Sequence, residues 1–248
     1  MGDVTLLQYA LVGATAFAAS IIGGLTGYGT GLLLPLVLVP IVGPEPVVPI
    51  VSLSALLTNG SRAWAFREAL DRRSVLIVTA WALPTCMIGA YGYTRLSGPG
   101  VALLLGAVLI AIVPARRLIK GATGFLTPGR LAAAGTGYGL LVGATSGVGV
   151  ILISMLVAAG LKGPAVIATD AGISLLIGLA KVGVFQSFGA LPLSSWVMAL
   201  VIGFFSVPAA FIAKRLAARL TLDQHTALLD AVVLIGGALL LIQGLRGS

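Results

Sequence analysis

Ten apolar runs follow one another almost without pause, at about 6–24, 30–43, 46–65, 74–94, 99–119, 131–146, 148–160, 164–185, 193–213 and 225–245. Two of the junctions between them are glycine-rich rather than charged. Gly23-Gly24-Leu25-Thr26-Gly27-Tyr28-Gly29-Thr30-Gly31 forms the first, and Gly143-Ala144-Thr145-Ser146-Gly147-Val148-Gly149 the second, about 120 residues later. Repeated helix interruptions inside membrane-length apolar sequence point to a solute site in a secondary transporter. With 58% hydrophobic and 9% charged residues, and a mean hydropathy of +1.12, the chain is far more apolar than soluble proteins, which are about half apolar and a quarter charged. Its 248 residues allow roughly 8 to 10 spans of about 20 residues each, and leave no room for a soluble domain. The expected class is an all-α polytopic integral membrane protein whose helices are broken by glycine near the start of each half.

The runs divide five and five, and the halves correspond in detail. Pro46 matches Pro164 at the start of each third run, Pro84 matches Pro208 inside each fourth, and Arg95-Leu96-Ser97 matches Arg219-Leu220-Thr221. The expected organisation is a first membrane repeat over 1–122 and a second over 123–248, forming one integrated domain. If each half crosses an odd number of times, the repeats have inverted topology, and matching loops should differ in positive charge. Arg62, Arg67, Arg72 and Arg73 occupy 62–73, while 182–194 holds no Lys or Arg; 94–100 has only Arg95, while 213–224 has Lys214, Arg215 and Arg219. Placing 62–73 inside puts every basic residue except Arg95, Lys181 and Arg246 on the cytoplasmic side, with both termini outside. The excess of 15 Lys and Arg over 7 Asp and Glu is thereby explained by topology, with no nucleic-acid partner required. Met1 to Leu7 carry Asp3 and no Lys or Arg, so no removable signal peptide is expected. Trp64, Trp81 and Trp196 are read as interface anchors.

At each break, glycines free backbone N–H and C=O groups from the helical ladder, and the helix N-terminus beyond carries partial positive charge. Brought together, the breaks would form a polar chamber near the midplane, with hydroxyls from Thr26, Tyr28, Thr30, Thr145 and Ser146 around Gly27, Gly29, Gly147 and Gly149. Whether the breaks are re-entrant tips or loops stays open, as does a plainer role for Gly23, Gly27, Gly31, Gly143 and Gly147 in close helix packing at four-residue spacing.

Asp170 lies seven residues into an apolar run, where a carboxyl group is by default a functional hypothesis. It is read as a proton-coupling site or a cation ligand, the alternative being a structural Asp that fixes packing. Its first-half counterpart is Ser52; Thr169 and Ser174 lie near it on the second-half helix, and Ser54, Thr58 and Asn59 lie on the first-half helix. Arg62 and Lys181 occupy nearly matching repeat positions and would present one cation at each mouth of a pathway, unless both snorkel to the interface. About 16 Å of helix separates Lys181 from Asp170 and prevents their direct pairing. Cys86, the single cysteine, is expected to pack, and His225 to cap the last run. No HExxH, CxxC, G-x-S-x-G or phosphate-binding Gly-rich Lys-Ser/Thr motif is present, which argues against an enzyme or an ATP-driven pump. No metal or cofactor is expected.

Gly27-Tyr28-Gly29-Thr30-Gly31 followed by Pro35, and Gly147-Val148-Gly149, resemble the paired glycine elements of the TauE/SafE sulfite exporter family of bacterial and archaeal membrane proteins. Ile167-Ala168-Thr169-Asp170 partly matches that family's A-x-G-T-S element, matched in the first half by Ser52 alone, and Arg95 and Arg219 echo the end of its fourth run. Thr30 and Val150 replace family glycines, the second copy lacks the proline, and Asp170 stands where a serine is usual. The resemblance implies transport of sulfite, sulfonates or other small sulfur-containing anions, driven by an ion gradient. The expectation is therefore a secondary transporter of a small sulfur-containing or carboxylate anion, in the cell inner membrane, coupled to H⁺ through Asp170. Its substrate site would comprise the break residues with Ser52, Asn59 and Thr169. A homodimer is compatible with this reading. A passive anion channel of the same fold, or a membrane-embedded assembly subunit, are the alternatives.

Overall fold

A computed structural model describes residues 4–26, 30–119, 126–216 and 223–246. Gly27, Tyr28 and Gly29 lie outside the described residues, as do the side chains of Thr26 and His225. Ten α-helices occupy the described residues: α1 Leu6–Thr26, α2 Thr30–Val42, α3 Val47–Ala65, α4 Arg72–Tyr93, α5 Gly98–Ile119, α6 Pro128–Ala144, α7 Gly149–Ala158, α8 Pro164–Ser187, α9 Leu193–Leu216 and α10 Asp223–Leu245. They coincide with the ten apolar runs to within a few residues at each end.

Local chemistry sets several boundaries. Asp71 caps α4, its carboxylate accepting from the Ser74 N–H at 3.1 Å, and Pro164 opens α8 at a position where its missing N–H costs nothing. Pro84 and Pro208 are absorbed inside α4 and α9, as neighbouring helices allow in membrane bundles. At 1.5 Å per residue, α2 and α7 span only about 20 and 15 Å, too little for a hydrocarbon core of about 30 Å. They are half-helices. By contrast, Arg72–Tyr93, Pro164–Ser187 and Leu193–Ala213 are long and apolar enough to cross a bilayer.

The outer surface has the same character. Leu6, Leu76, Leu193, Phe204, Ile235 and Leu239 stand exposed, a density of apolar surface that water does not tolerate and lipid requires. The protein is a multi-pass membrane protein. Trp64 and Trp196 lie near helix ends, Trp64 beneath the Arg67 guanidinium at 4.7 Å and Trp196 donating to Gln186 Oε1 at 3.1 Å. Trp81 departs from the interface expectation: it is exposed near the middle of α4, because the helix extends on both sides of it.

Helix pairing is strongly patterned. α4 packs on α6 and α1 on α9; α3 packs on α9 and α4 on α8; α5 meets α10, and α3 meets α8. Smaller seams join α1 to α2, α6 to α7, α2 to α3, α7 to α8, α5 to α7 and α2 to α10. Exchanging each helix for the one five places away in the chain maps every one of these pairings onto another of them or onto itself. α3 and α8 run antiparallel, since Arg62 faces Asp170, Gly60 lies by Leu175, and Leu56 by Gly178.

The α4–α6 seam is glycine-built. A Cβ at Gly139 would strike the Ala82 carbonyl, and one at Gly143 would strike the Cys86 carbonyl and lie 2.9 Å from Ala90 N. Gly89 meets Leu140 O and Ala144 N in return. Gly143 therefore packs helices, as the four-residue spacing allowed, and it works with Gly139, which the break-centred reading passed over. The backbones sit closer than any side chain permits. Gly139→Ala and Gly143→Ala should each destabilise the protein by about 1–3 kcal/mol through overpacking. Gly137→Ala, whose added methyl meets nothing within 4 Å, should leave stability unchanged or slightly raised. Thermal midpoints of the purified variants check this.

Candidate functional site

The second break is buried, and it meets the first at Gly31. Thr145 has extended backbone at φ −149°, Gly147 takes φ +85°, and both Thr145 and Ser146 are buried. A Cβ on Gly31 would lie 2.7 Å from Gly147 N and 2.9 Å from Gly147 Cα, and Ser146 Oγ donates to the Gly31 carbonyl at 3.2 Å. Only glycine fits on either side: Gly31 for lack of space, Gly147 also for its left-handed backbone. The second break is thus an interruption between two apolar helices, tolerated because protein surrounds it.

A cavity of about 160 Å³ opens beside this contact. Of the residues expected to bind substrate, it is lined by Thr30, Ser52, Asn59, Thr145, Ser146, Gly147 and Gly149, together with Asp170, Arg62 and Lys181. Thr169 is a departure. Its hydroxyl accepts from the Asp71 N–H at 3.0 Å, fully buried, because neighbouring side chains on a helix point about 100° apart; it latches the α3–α4 link to α8 instead.

Arg62 and Lys181 also depart from the expectation of one cation at each mouth. Both line this one cavity, at opposite ends of the α3–α8 seam, and neither snorkels outward: Arg62 has 14% of its side chain exposed and Lys181 4% of its residue surface. Each finds partners inside the protein. Arg62 Nη2 donates to Asp170 Oδ2 at 3.0 Å, and Nη1 reaches Asn59 Oδ1 at 3.4 Å. Lys181 Nζ donates to the carbonyls of Val142 and Thr145 at 2.5 and 2.7 Å. Those carbonyls belong to the end of α6, where acceptors have lost their helical donors and the helix dipole is negative. The antiparallel seam explains the difference: the position facing Arg62 is Asp170, whereas Lys181, toward the other end of α8, faces the level of Ser52. Lys181 has no carboxylate partner among the described residues.

Many of the hydroxyls lining the cavity are already committed. Ser52 donates to Val48 O at 2.6 Å, Ser54 to Val51 O at 2.9 Å and Thr58 to Ala55 O at 3.2 Å. Four buried polar atoms on the wall have no partner among the described residues: Ser20 Oγ, Ser206 Oγ, Arg62 Nε and Asp170 Oδ1. The sequence reading passed over Ser20, Tyr138 and Ser206 as wall residues; the repeat offset that links Ser52 to Asp170 also links Ser20 to Tyr138, and was the available signal. The N-termini of α2 and α7 border the same space at Thr30, Gly31 and Gly149, and α7 has no side-chain cap. Chemically, the wall offers two cations against one carboxylate, plus two helix N-termini with partial positive charge.

Half-length helices, a lipid-facing surface and a central polar chamber define a multi-pass membrane protein of the transporter class. The chain belongs to the TauE/SafE sulfite exporter family, whose model matches residues 12–240. No curated protein and no solved structure matches it.

The buried pair carries its own prediction. Asp170→Leu or Arg62→Met should each destabilise the fold by roughly 3 kcal/mol, the lower end for broken buried pairs because Arg62 is partly exposed. Joint replacement, Arg62→Met with Asp170→Leu, should recover most of that loss. A double-mutant cycle on thermal midpoints measures the coupling.

Proposed function

We propose that the protein is a secondary transporter carrying a small sulfur-containing anion, such as sulfite or an organosulfonate, through this chamber by alternating access. In this reading, 1–122 and 123–248 are two inverted-topology repeats in the cell inner membrane, with both termini outside, and Asp170 couples transport to protons. The observation that carries the reading is the charge of the chamber wall: Arg62 and Lys181 against Asp170 alone, beside two helix N-termini. Such a wall attracts anions and repels cations. Family membership supports an oxidised-sulfur substrate, and the matched helix pairings support the repeats.

Uptake of labelled sulfite and methanesulfonate into proteoliposomes, with and without a proton gradient, tests the proposal. Saturable, gradient-stimulated flux with counterflow is the expected result. Flux without counterflow would indicate a channel, and none from folded protein would indicate an assembly role. Lys181→Met should weaken apparent substrate affinity by about tenfold, the loss of one charge interaction worth about 1.4 kcal/mol. Gly31→Ala should suppress flux, because its methyl must displace the Gly147 backbone.

A further inference from the structure

We propose that the Asp170 carboxylate occupies the transported anion's own place on Arg62, so that the anion enters by displacing it and Asp170 leaves the pair protonated. This rests on the anion-transporter reading above and specifies how its coupling works.

The geometry of the pair is that of a half-filled site. Nε and Nη2 form one edge of a guanidinium, which two oxygens of a single oxyanion can engage together. Here only Nη2 is engaged, by Asp170 Oδ2 at 3.0 Å, while Nε is buried without a partner. Asp170 is likewise half used, Oδ1 being buried and unpartnered. A carboxylate fixed to α8 reaches this edge with one oxygen; a free sulfonate, with three, can fill it. Both residues line the cavity, so the incoming anion has access without passing through protein.

Charge conservation then fixes the exchange. The empty state holds Asp170⁻ and Arg62⁺; the loaded state holds neutral Asp170, Arg62⁺ and the anion. One proton is gained with each monovalent anion, bound to the carboxylate oxygen that the guanidinium releases. Without that proton, Asp170 would become an unpaired buried charge beside a second anion. Other groups facing this stretch of α8 leave the role to Asp170. Tyr138 of α6 lies on the wall, and α7 has no ionisable residue. Arg67, Glu68, Arg72 and Arg73 are exposed beyond the end of α3, and Asp71 caps α4. Cys86 of α4 lies behind Gly143, and Lys181 is about 16 Å along α8. Loaded and empty chambers carry equal charge, so transport of a monovalent anion is electroneutral.

Methanesulfonate tests this, because it is fully ionised at working pH and brings no proton of its own. Calorimetric titration of the wild-type protein at neutral pH, in buffers of different ionisation enthalpy, should show about one proton taken up per anion bound. Asp170→Asn should abolish that uptake and tighten binding by about tenfold, since the competing carboxylate is gone; Asp170→Ser provides the same comparison if the Asn protein is unstable. Arg62→Gln should weaken binding by more than about tenfold, whereas Lys181→Met should weaken it with proton uptake intact. Gradient-driven methanesulfonate flux should be insensitive to a potential imposed with valinomycin. Binding without proton uptake, or Asp170 variants that bind no tighter, would overturn the exchange while leaving an anion transporter standing. No binding and no flux in folded wild-type protein would overturn both.

Discussion

A bilayer supplies no water to an open backbone, so an interrupted helix survives there only if its freed groups find partners within the protein. The abutment of Gly31 against Gly147 is where that requirement is met. On the acceptor side, Lys181 takes the carbonyls of Val142 and Thr145, and Ser146 takes that of Gly31. The N-terminus of α7, which has no side-chain cap, stands at the cavity wall. Together they set the electrical sign of the chamber: a lysine on the carbonyls and a helix N-terminus facing the space yield a positive interior from backbone and side chain together.

The two ends of the chamber use cations differently. At one end Arg62 is neutralised by Asp170, a partner 108 residues away in sequence, so the ion pair joins the halves across the α3–α8 seam. At the other, Lys181 serves as the cap of a broken helix and has little freedom to leave. In the exchange proposed above, a movable charge and a fixed one face each other along the same cavity. Their difference traces to a single chemical inequality between the halves, Ser52 against Asp170.

Much of this was legible in the sequence, because in a membrane protein hydrophobic run length is itself the fold signal. All ten helices lie where apolar runs end at charges, prolines or glycines. Asp170, Arg62 and Lys181 stood out because ionisable groups in apolar sequence are costly and rare. What the sequence withheld was direction and depth. Thr169 and Asp170 are neighbours, yet about 100° of helical rotation sends one to the α3–α4 link and the other to the cavity. Arg62 and Lys181 sit near helix ends, where snorkelling is the ordinary outcome, and only the closeness of α3 and α8 turns them inward. Gly143 could serve packing or the break with equal plausibility on spacing alone; the Cys86 carbonyl beside it decides for packing. Ser206 carries no sequence mark, being one hydroxyl among apolar residues in the middle of α9.

The contact between Gly31 and Gly147 has a mechanical meaning as well. Two backbones touching without side chains have no rotamers through which to yield, and a left-handed residue on one side resists twisting. The half-helices α2 and α7 therefore abut with no side chain between them. In the alternating-access reading proposed above, that abutment would be a rigid bearing around which the longer helices swing, so that a carrier hinged at its own binding site moves its walls past the cargo while the cargo stays still.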